Sequence, residues 1–112
     1  MNDDITHTGF FGDGDHTFAL TDAMITELER LADTGIGALY NRAVRMQFAV
    51  ADIVQTIRLG LIGGGMNPQD AMQLVETYAV NRPMAETFPL ALDILDARWS
   101  GTPKPETKEA TA

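Results

Sequence analysis

The feature that most limits the fold of this chain is a run of three glycines at residues 63–65. An apolar stripe at helical spacing leads into the run, and each glycine favours left-handed or irregular backbone over helix. Asn67 and Pro68 follow at once. This pair is typical of a helix start, because asparagine caps the helix and proline suits its first position. The middle of the chain therefore predicts two short helices, at about 50–62 and 68–81.

Apolar residues recur at three- and four-residue spacing on both sides of this break, which predicts further amphipathic helices. Thr21 has the hydroxyl that is preferred at a helix N-cap, and Pro83 pushes the residue before it out of the helical region. Pro89 interrupts the last stripe, so that helix either begins near residue 88 or kinks there. Residues 47–49 contain no breaker, which leaves the end of the second helix open. The predicted helices span about 22–32, 36–46, 50–62, 68–81 and 84–99.

The start of the chain predicts a β-hairpin at about 5–20. Asp13-Gly14 is a strong two-residue turn signal, since a type I′ turn needs positive φ at both central positions. A turn centred there places Phe11 opposite His16 on the face that would cover a core. A two-stranded hairpin is only marginally stable alone and must pack on something else. The predicted fold is α+β and mainly α, with an N-terminal β-hairpin packed on a bundle of four to five short helices.

The length of the chain, 112 residues, allows one domain and hardly two. Hydrophobic residues make up 45% and charged residues 21%, which excludes a wholly disordered chain. We predict a single globular domain over 1–99. Residues 100–112 lack large apolar side chains and contain two prolines, so this tail is predicted to be disordered.

The chain is acidic, with sixteen Asp and Glu against eight Lys and Arg, for a net charge of −8. Residues 1–33 hold eight of the acids and one base, so the surplus lies there. Direct binding of nucleic acid is not expected, because it depends on neutralising phosphates. No apolar run approaches the ~18 residues of a membrane span, so no membrane partner is expected. The N-terminus is unlike a secretory signal and the chain has no Cys, so the expected location is cytoplasmic.

No pattern in the sequence predicts catalysis. The glycine run lacks the preceding strand and following Lys of a phosphate-binding loop. His7 and His16 are the only histidines, and without Cys or an HExxH-type spacing they predict no metal site and no cofactor. The only serine is Ser100 in the tail, which leaves no serine nucleophile. We expect a binding or assembly protein rather than an enzyme.

The candidate partner-binding residues lie around the glycine run and along the fourth helix. Methionines there suit adaptable binding surfaces, and they equally fill irregular gaps in a core. The two arginines that flank the breaks could bind a partner's carboxylate or cap a helix C-terminus. The candidates are Arg58, Gly63, Gly64, Gly65, Met72, Tyr78 and Arg82.

Four short motifs resemble those of the gene transfer agent family, small tail-module proteins of alphaproteobacterial gene transfer agents and related tailed phages. The motifs are IRLGLIGGG at 57–65, YAVNRP at 78–83, PLA at 89–91 and ILDA at 94–97. The resemblance extends over about residues 9–99. It departs from the family pattern at 46–50, where an apolar stretch replaces a more polar turn.

The resemblance implies a tail assembly chaperone that binds the helical tape-measure protein before the tail tube polymerises. Such a protein would be missing from the finished particle. The family has also been labelled a tail tube protein, so the alternative is a structural tail component, and a homo-oligomer is possible. Tube subunits are usually larger and β-rich. For a chaperone, we expect the client groove between the third and fourth helices, hinged by residues 63–65.

Overall fold

The structure is a computed structural model that describes residues 3–102. A short 3-10 turn, Asp3–Ile5, leads into one antiparallel hairpin and five helices, which confirms the predicted α+β, mainly α fold. The elements are β1 (Thr6–Phe11), β2 (Gly14–Ala19), α1 (Asp22–Ala32), α2 (Ile36–Val44), α3 (Val50–Gly63), α4 (Pro68–Tyr78) and α5 (Met84–Ser100).

The hairpin turn lies one residue earlier than predicted. Phe11 pairs with Gly14, not with His16, so the two turn residues are Gly12 and Asp13. Gly12 has a φ of +69°, and Asp13 is not in the positive-φ region. This is the pattern of a turn with glycine at its first central position, so the type I′ prediction was wrong. A methyl group on Gly12 would also lie 2.5 Å from the Tyr78 ring.

The predicted register of the hairpin was wrong, but the predicted buried face was correct. The partner of each β1 residue is displaced by two positions, and side chains on a strand alternate with period two. Phe11 and Phe18 therefore stay on one face, and both are buried with Leu20 just beyond β2. This face lies over α3 and α5, which supply the support that a lone hairpin lacks.

Helix α3 is the centre of the fold, since it packs against β2, α1, α4 and α5. Gly60 lets the helix approach Phe18 and Ile94, because a methyl group there would lie 3.3 Å from each side chain. The largest fully buried side chains come from every layer around α3: Phe18, Leu20, Leu28, Leu39, Ile57, Leu59, Leu61, Val75 and Ile94.

The boundary between α2 and α3, which the sequence left open, is set by a buried carboxylate. Asp52 accepts a hydrogen bond from the Ala49 N–H at 2.8 Å and so caps the start of α3. The same carboxylate pairs with Arg42 in the last turn of α2, at 2.8 and 2.9 Å. Helix α2 ends at Val44, earlier than the predicted residue 46, and Met46 adopts a φ of +61°.

The two predicted N-caps are confirmed. Thr21 Oγ1 accepts from the Met24 N–H at 3.3 Å, and Asn67 Oδ1 accepts from the Gln69 N–H at 2.7 Å. Helix α4 ends at Tyr78 rather than at residue 81, and α5 continues through Pro89.

The segment predicted as a tail begins as ordered structure. Ser100 is the last residue of α5. Thr102 donates its N–H to the Asp4 carbonyl at 2.8 Å and its hydroxyl to the Thr6 carbonyl at 2.7 Å. The rest of the predicted disordered tail, residues 103–112, lies outside the described residues.

Candidate partner-binding site

Two of the predicted binding residues meet in a shallow depression between the third and fourth helices, which we call the α3–α4 groove. Its lining is Arg58, Pro68, Gln69, Asp70, Met72 and Gln73. The Met72 side chain is 42% exposed, so it is not part of the core. Arg58 Nε donates to Gln55 Oε1 at 2.8 Å, which positions the guanidinium along α3. The groove therefore combines a flexible thioether with polar side chains.

The glycine run lies beside this groove but faces the hairpin. A methyl group on Gly63 would overlap the Ala19 carbonyl oxygen, and one on Gly64 would overlap the Thr17 carbonyl oxygen. Both glycines are thus explained by the close approach of α3 to β2. Gly65 has a φ of +115° and open space around it, and it turns the chain toward α4. A hinge at these residues stays a prediction.

Tyr78 and Arg82 lie elsewhere, in a second depression at the end of the hairpin that we call the Tyr78 groove. The Tyr78 ring meets Phe11 edge to face, with centroids 6.3 Å apart, and Phe10 beside them is 68% exposed. Arg82 donates three hydrogen bonds to the Glu86 carboxylate, at 3.0, 3.1 and 3.2 Å. The full lining is Phe10, Phe11, Gly12, Tyr78, Arg82, Glu86 and Thr87. The predicted candidates therefore belong to two surfaces rather than one.

Neither flanking arginine caps a helix C-terminus, and binding of a partner's carboxylate stays a prediction. Arg58 binds the Gln55 side chain, and Arg82 binds the Glu86 side chain. In each case the guanidinium contacts a side chain of its own chain rather than a helix C-terminal carbonyl. Arg82 would have to leave Glu86 before it could bind a partner's carboxylate.

A third depression separates α4 from the hairpin turn, and we call it the hairpin–α4 groove. It is lined by Asp13, His16, Met66, Asp70, Gln73, Leu74, Glu76, Thr77 and Tyr78. Three of these side chains are carboxylates and none is Lys or Arg. His16 Nε2 lies 2.8 Å from Asp13 Oδ1 at the rim. Helix α4 thus has a groove on each side, and Asp70 and Gln73 line both.

The methionines divide between the two roles that the sequence allowed. Met24 and Met66 pack partly buried against the core, whereas Met46, Met72 and Met84 are exposed. The exposed thioethers lie on α4, on α5 and in the turn after α2, so they are available to a partner.

Trp99 lies near the end of the last helix and outside the buried core. Trp99 is 59% exposed and stacks on Tyr40, with ring centroids 4.8 Å apart. The Tyr40 hydroxyl donates to Asp96, and this hydrogen bond raises the pKa of Tyr40 above its ordinary value. In the sequence, only the three-residue spacing of Asp96 and Trp99 indicates that these two side chains share a face of α5. That Tyr40 contacts both of them is visible only in the tertiary structure.

Most of the described arginines form ion pairs with carboxylates. Four arginines each contact a carboxylate, in the pairs Arg30–Glu27, Arg42–Asp52, Arg82–Glu86 and Arg98–Asp22. Hydrogen bonding to Arg30 lowers the pKa of Glu27. Within residues 3–102, no three His, Asp or Glu side chains are grouped as metal ligands would be. No helix in that part of the chain is long and apolar enough to cross a membrane.

A family model described as "Phage tail tube protein, GTA-gp10" matches residues 4–101. The matched span includes both strands and nearly all of the helical residues. Neither the curated proteins nor the solved structures contain a match.

Proposed function

This chain belongs to the phage tail tube protein family GTA-gp10, and from that premise we propose that it is a tail assembly chaperone that binds the tape-measure protein. A role connected with the tail follows from the family itself. The chaperone role is the finer proposal. It is non-enzymatic, needs no cofactor, and would be carried out in the cytoplasm where tails are assembled.

The observation that carries the proposal is that α4 packs on the core with one face and exposes the other. This helix is held to the core by Ala71 and Val75, and it exposes Met72 on the opposite side. The exposed Met72 thioether in the α3–α4 groove is flexible, and it is the kind of side chain that packs against the apolar face of a helical client. Since thioethers adapt to differently shaped partners, such a groove suits a protein that must bind its client and later release it.

The alternative is a structural tube component, which the printed description of the family favours. A ring built by pairing strands between subunits needs an open strand edge on both sides of each subunit. Here each strand has only six residues. The β2 edge meets α3 at Gly63 and Gly64, which approach the Ala19 and Thr17 carbonyls. This arrangement favours the chaperone role over a ring closed by strand pairing.

The test is capture of the tape-measure protein by the tagged full chain in cells that are assembling particles, together with mass spectrometry of the finished particles. We expect the tape-measure protein to be captured and this chain to be missing from the particles. Many copies in the particles, without capture of the tape-measure protein, would make the chain a structural component instead.

The site is tested with two matched substitutions, Met72→Asp and Met84→Asp. Both side chains are exposed to a similar degree, 42% and 47%, so neither change removes a core contact. We expect Met72→Asp to abolish capture, because it places a charge in the α3–α4 groove. Met84→Asp should capture as the wild type does. Equal capture by both variants, with unchanged circular dichroism and Tm, would exclude this groove as the client site.

A further inference from the structure

We propose that the hairpin–α4 groove binds a cationic amphipathic segment, one that carries Lys or Arg beside apolar side chains. The inference rests on the proposed function, because this segment would belong to the same client. It would bind on the side of α4 opposite the α3–α4 groove. Its evidence is the distribution of charge over the described surface and the apolar floor of this groove.

No arginine balances the carboxylates that line this groove, in contrast to the four Arg–carboxylate pairs elsewhere on the fold. Residues 6–19 and 68–78, which contain the hairpin and α4, include no Lys or Arg. The six arginines of the described residues bind elsewhere: four contact carboxylates outside the groove, and Arg45 and Arg58 bind Asn41 and Gln55. Asp70 and Glu76 are exposed at the groove rim, and no arginine lines this groove. Asp70 also lines the α3–α4 groove with Arg58, so of these two rim carboxylates Glu76 is the one that belongs to this groove alone.

The groove also contains apolar side chains among its polar ones, which a merely charged face would lack. Met66 and Leu74 are partly buried and packed against the core, and the Tyr78 ring closes one end. An apolar floor with a carboxylate rim complements a helix or extended segment whose apolar residues point down and whose cations point outward. Long Lys and Arg side chains are well suited to this, since their stems cover apolar surface while their charges reach the rim.

A second copy of this chain fits the groove poorly. Each copy carries a net charge of −8, and the described arginines are already paired with neighbouring side chains. Two such surfaces would repel each other at low salt. A cationic partner gains from the same charge, so the groove favours it on both affinity and association rate.

Two threonines offer a matched pair of substitutions. Thr77 lies in the groove on α4, and Thr26 lies on the exposed side of α1. Each donates its hydroxyl to the carbonyl four residues earlier, Gln73 and Asp22 respectively. Thr77→Lys and Thr26→Lys therefore make the same change in net charge and remove the same kind of hydrogen bond, but only Thr77→Lys puts the new cation in the groove. Thr26 is near the start of α1 and Thr77 in the last turn of α4, where the helix dipole favours a cation, so the Tm of each variant is measured beside its binding.

The experiment uses the purified full chain and a fluorescent sixteen-residue peptide with Leu on one helical face and Lys on the other. Its counterpart has Glu at every Lys position. We expect the Lys peptide to bind, and Thr77→Lys to weaken it by about fivefold while Thr26→Lys has little effect. Raising the salt should weaken binding of the Lys peptide, since the charges are exposed. Glu76→Gln provides a second groove variant and should weaken binding by about threefold.

Equal weakening by Thr77→Lys and Thr26→Lys would mean that the overall charge attracts the peptide, and this would overturn the inference. So would equal binding of the Lys and Glu peptides. A wild-type dimer in sedimentation that Thr77→Lys disperses would show that the groove holds a second copy instead.

The same two variants separate this inference from the proposed function. If the wild-type chain captures the tape-measure protein and Thr77→Lys captures it as well as Thr26→Lys does, the chaperone role stands and the groove assignment is wrong. If the wild type captures no tape-measure protein, the chaperone role is wrong, and the peptide result decides the groove by itself.

Discussion

The close approach of α3 to β2 predicts that alanine is not tolerated at the first two positions of the glycine run. In Gly63→Ala the new methyl group would overlap the Ala19 carbonyl oxygen, and in Gly64→Ala the Thr17 carbonyl oxygen. Both obstacles are backbone atoms, so they cannot move away by rotating a side chain. Either the helix must lift from the strand or the strand must bend, and both movements open the core around Phe18.

The magnitude follows from two opposing contributions. Overpacking in a well-packed region typically costs about 1–3 kcal/mol, and clashes with backbone lie at the upper end. Replacing glycine by alanine near a helix end recovers at most about 0.5–1 kcal/mol. We therefore expect Gly63→Ala to lower the free energy of unfolding by about 2 kcal/mol. For a domain of this size, that corresponds to a fall in Tm of roughly 10 °C.

Gly37→Ala is the matched control. Gly37 lies inside α2 with a negative φ and nothing within 4 Å of where its methyl group would be. Here only the helix propensity changes, and we expect the free energy of unfolding to rise by about 0.5–1 kcal/mol. Urea denaturation followed by circular dichroism at 222 nm measures both variants. If Gly63→Ala were as stable as the wild type, α3 would not lie on β2 as described.

Two further predictions concern the interior and the surface of the bundle. Asp52→Ala should lower the free energy of unfolding by about 2–3 kcal/mol, because it removes the cap on Ala49 and leaves Arg42 without its carboxylate. Asp52→Asn keeps an acceptor and should cost less, and equal losses in urea denaturation would show that the cap is unimportant. Tyr40 should ionise above its ordinary pKa of 10.0, because the neutral phenol donates to Asp96. Because the pKa of Tyr40 is higher in the folded state, this hydrogen bond stabilises the protein fully at any pH below the ordinary pKa. Its contribution is lost as the pH rises through the raised, folded-state pKa. Absorbance titration at 295 nm should show the pKa of Tyr40 falling in Asp96→Asn, and an unchanged pKa would contradict the assignment.

The sequence predicted which residues are candidates for binding, but not which of them lie together on one surface. Arg58 and Met72 do come together, but Tyr78 and Arg82 lie on another surface. Helical spacing indicates which residues share a face of one helix, and it says nothing about which neighbouring element that face meets. The hairpin–α4 groove could not be predicted for the same reason. Asp13 and Asp70 are far apart in the sequence, and only the packing of α4 beside the hairpin turn places both in one groove.

The sequence by itself determined the kinds of element and most of their limits. Apolar spacing, the caps at Thr21 and Asn67 and the glycine break act within a few residues of the chain, so local physics is sufficient to decide them. The tertiary structure decided the rest. The hairpin turn begins at Gly12, beside the Tyr78 ring, rather than at Asp13. The start of α3 is capped by Asp52, which is held in an ion pair with Arg42. These choices depend on contacts between residues distant in sequence, and no local pattern encodes which of them will meet.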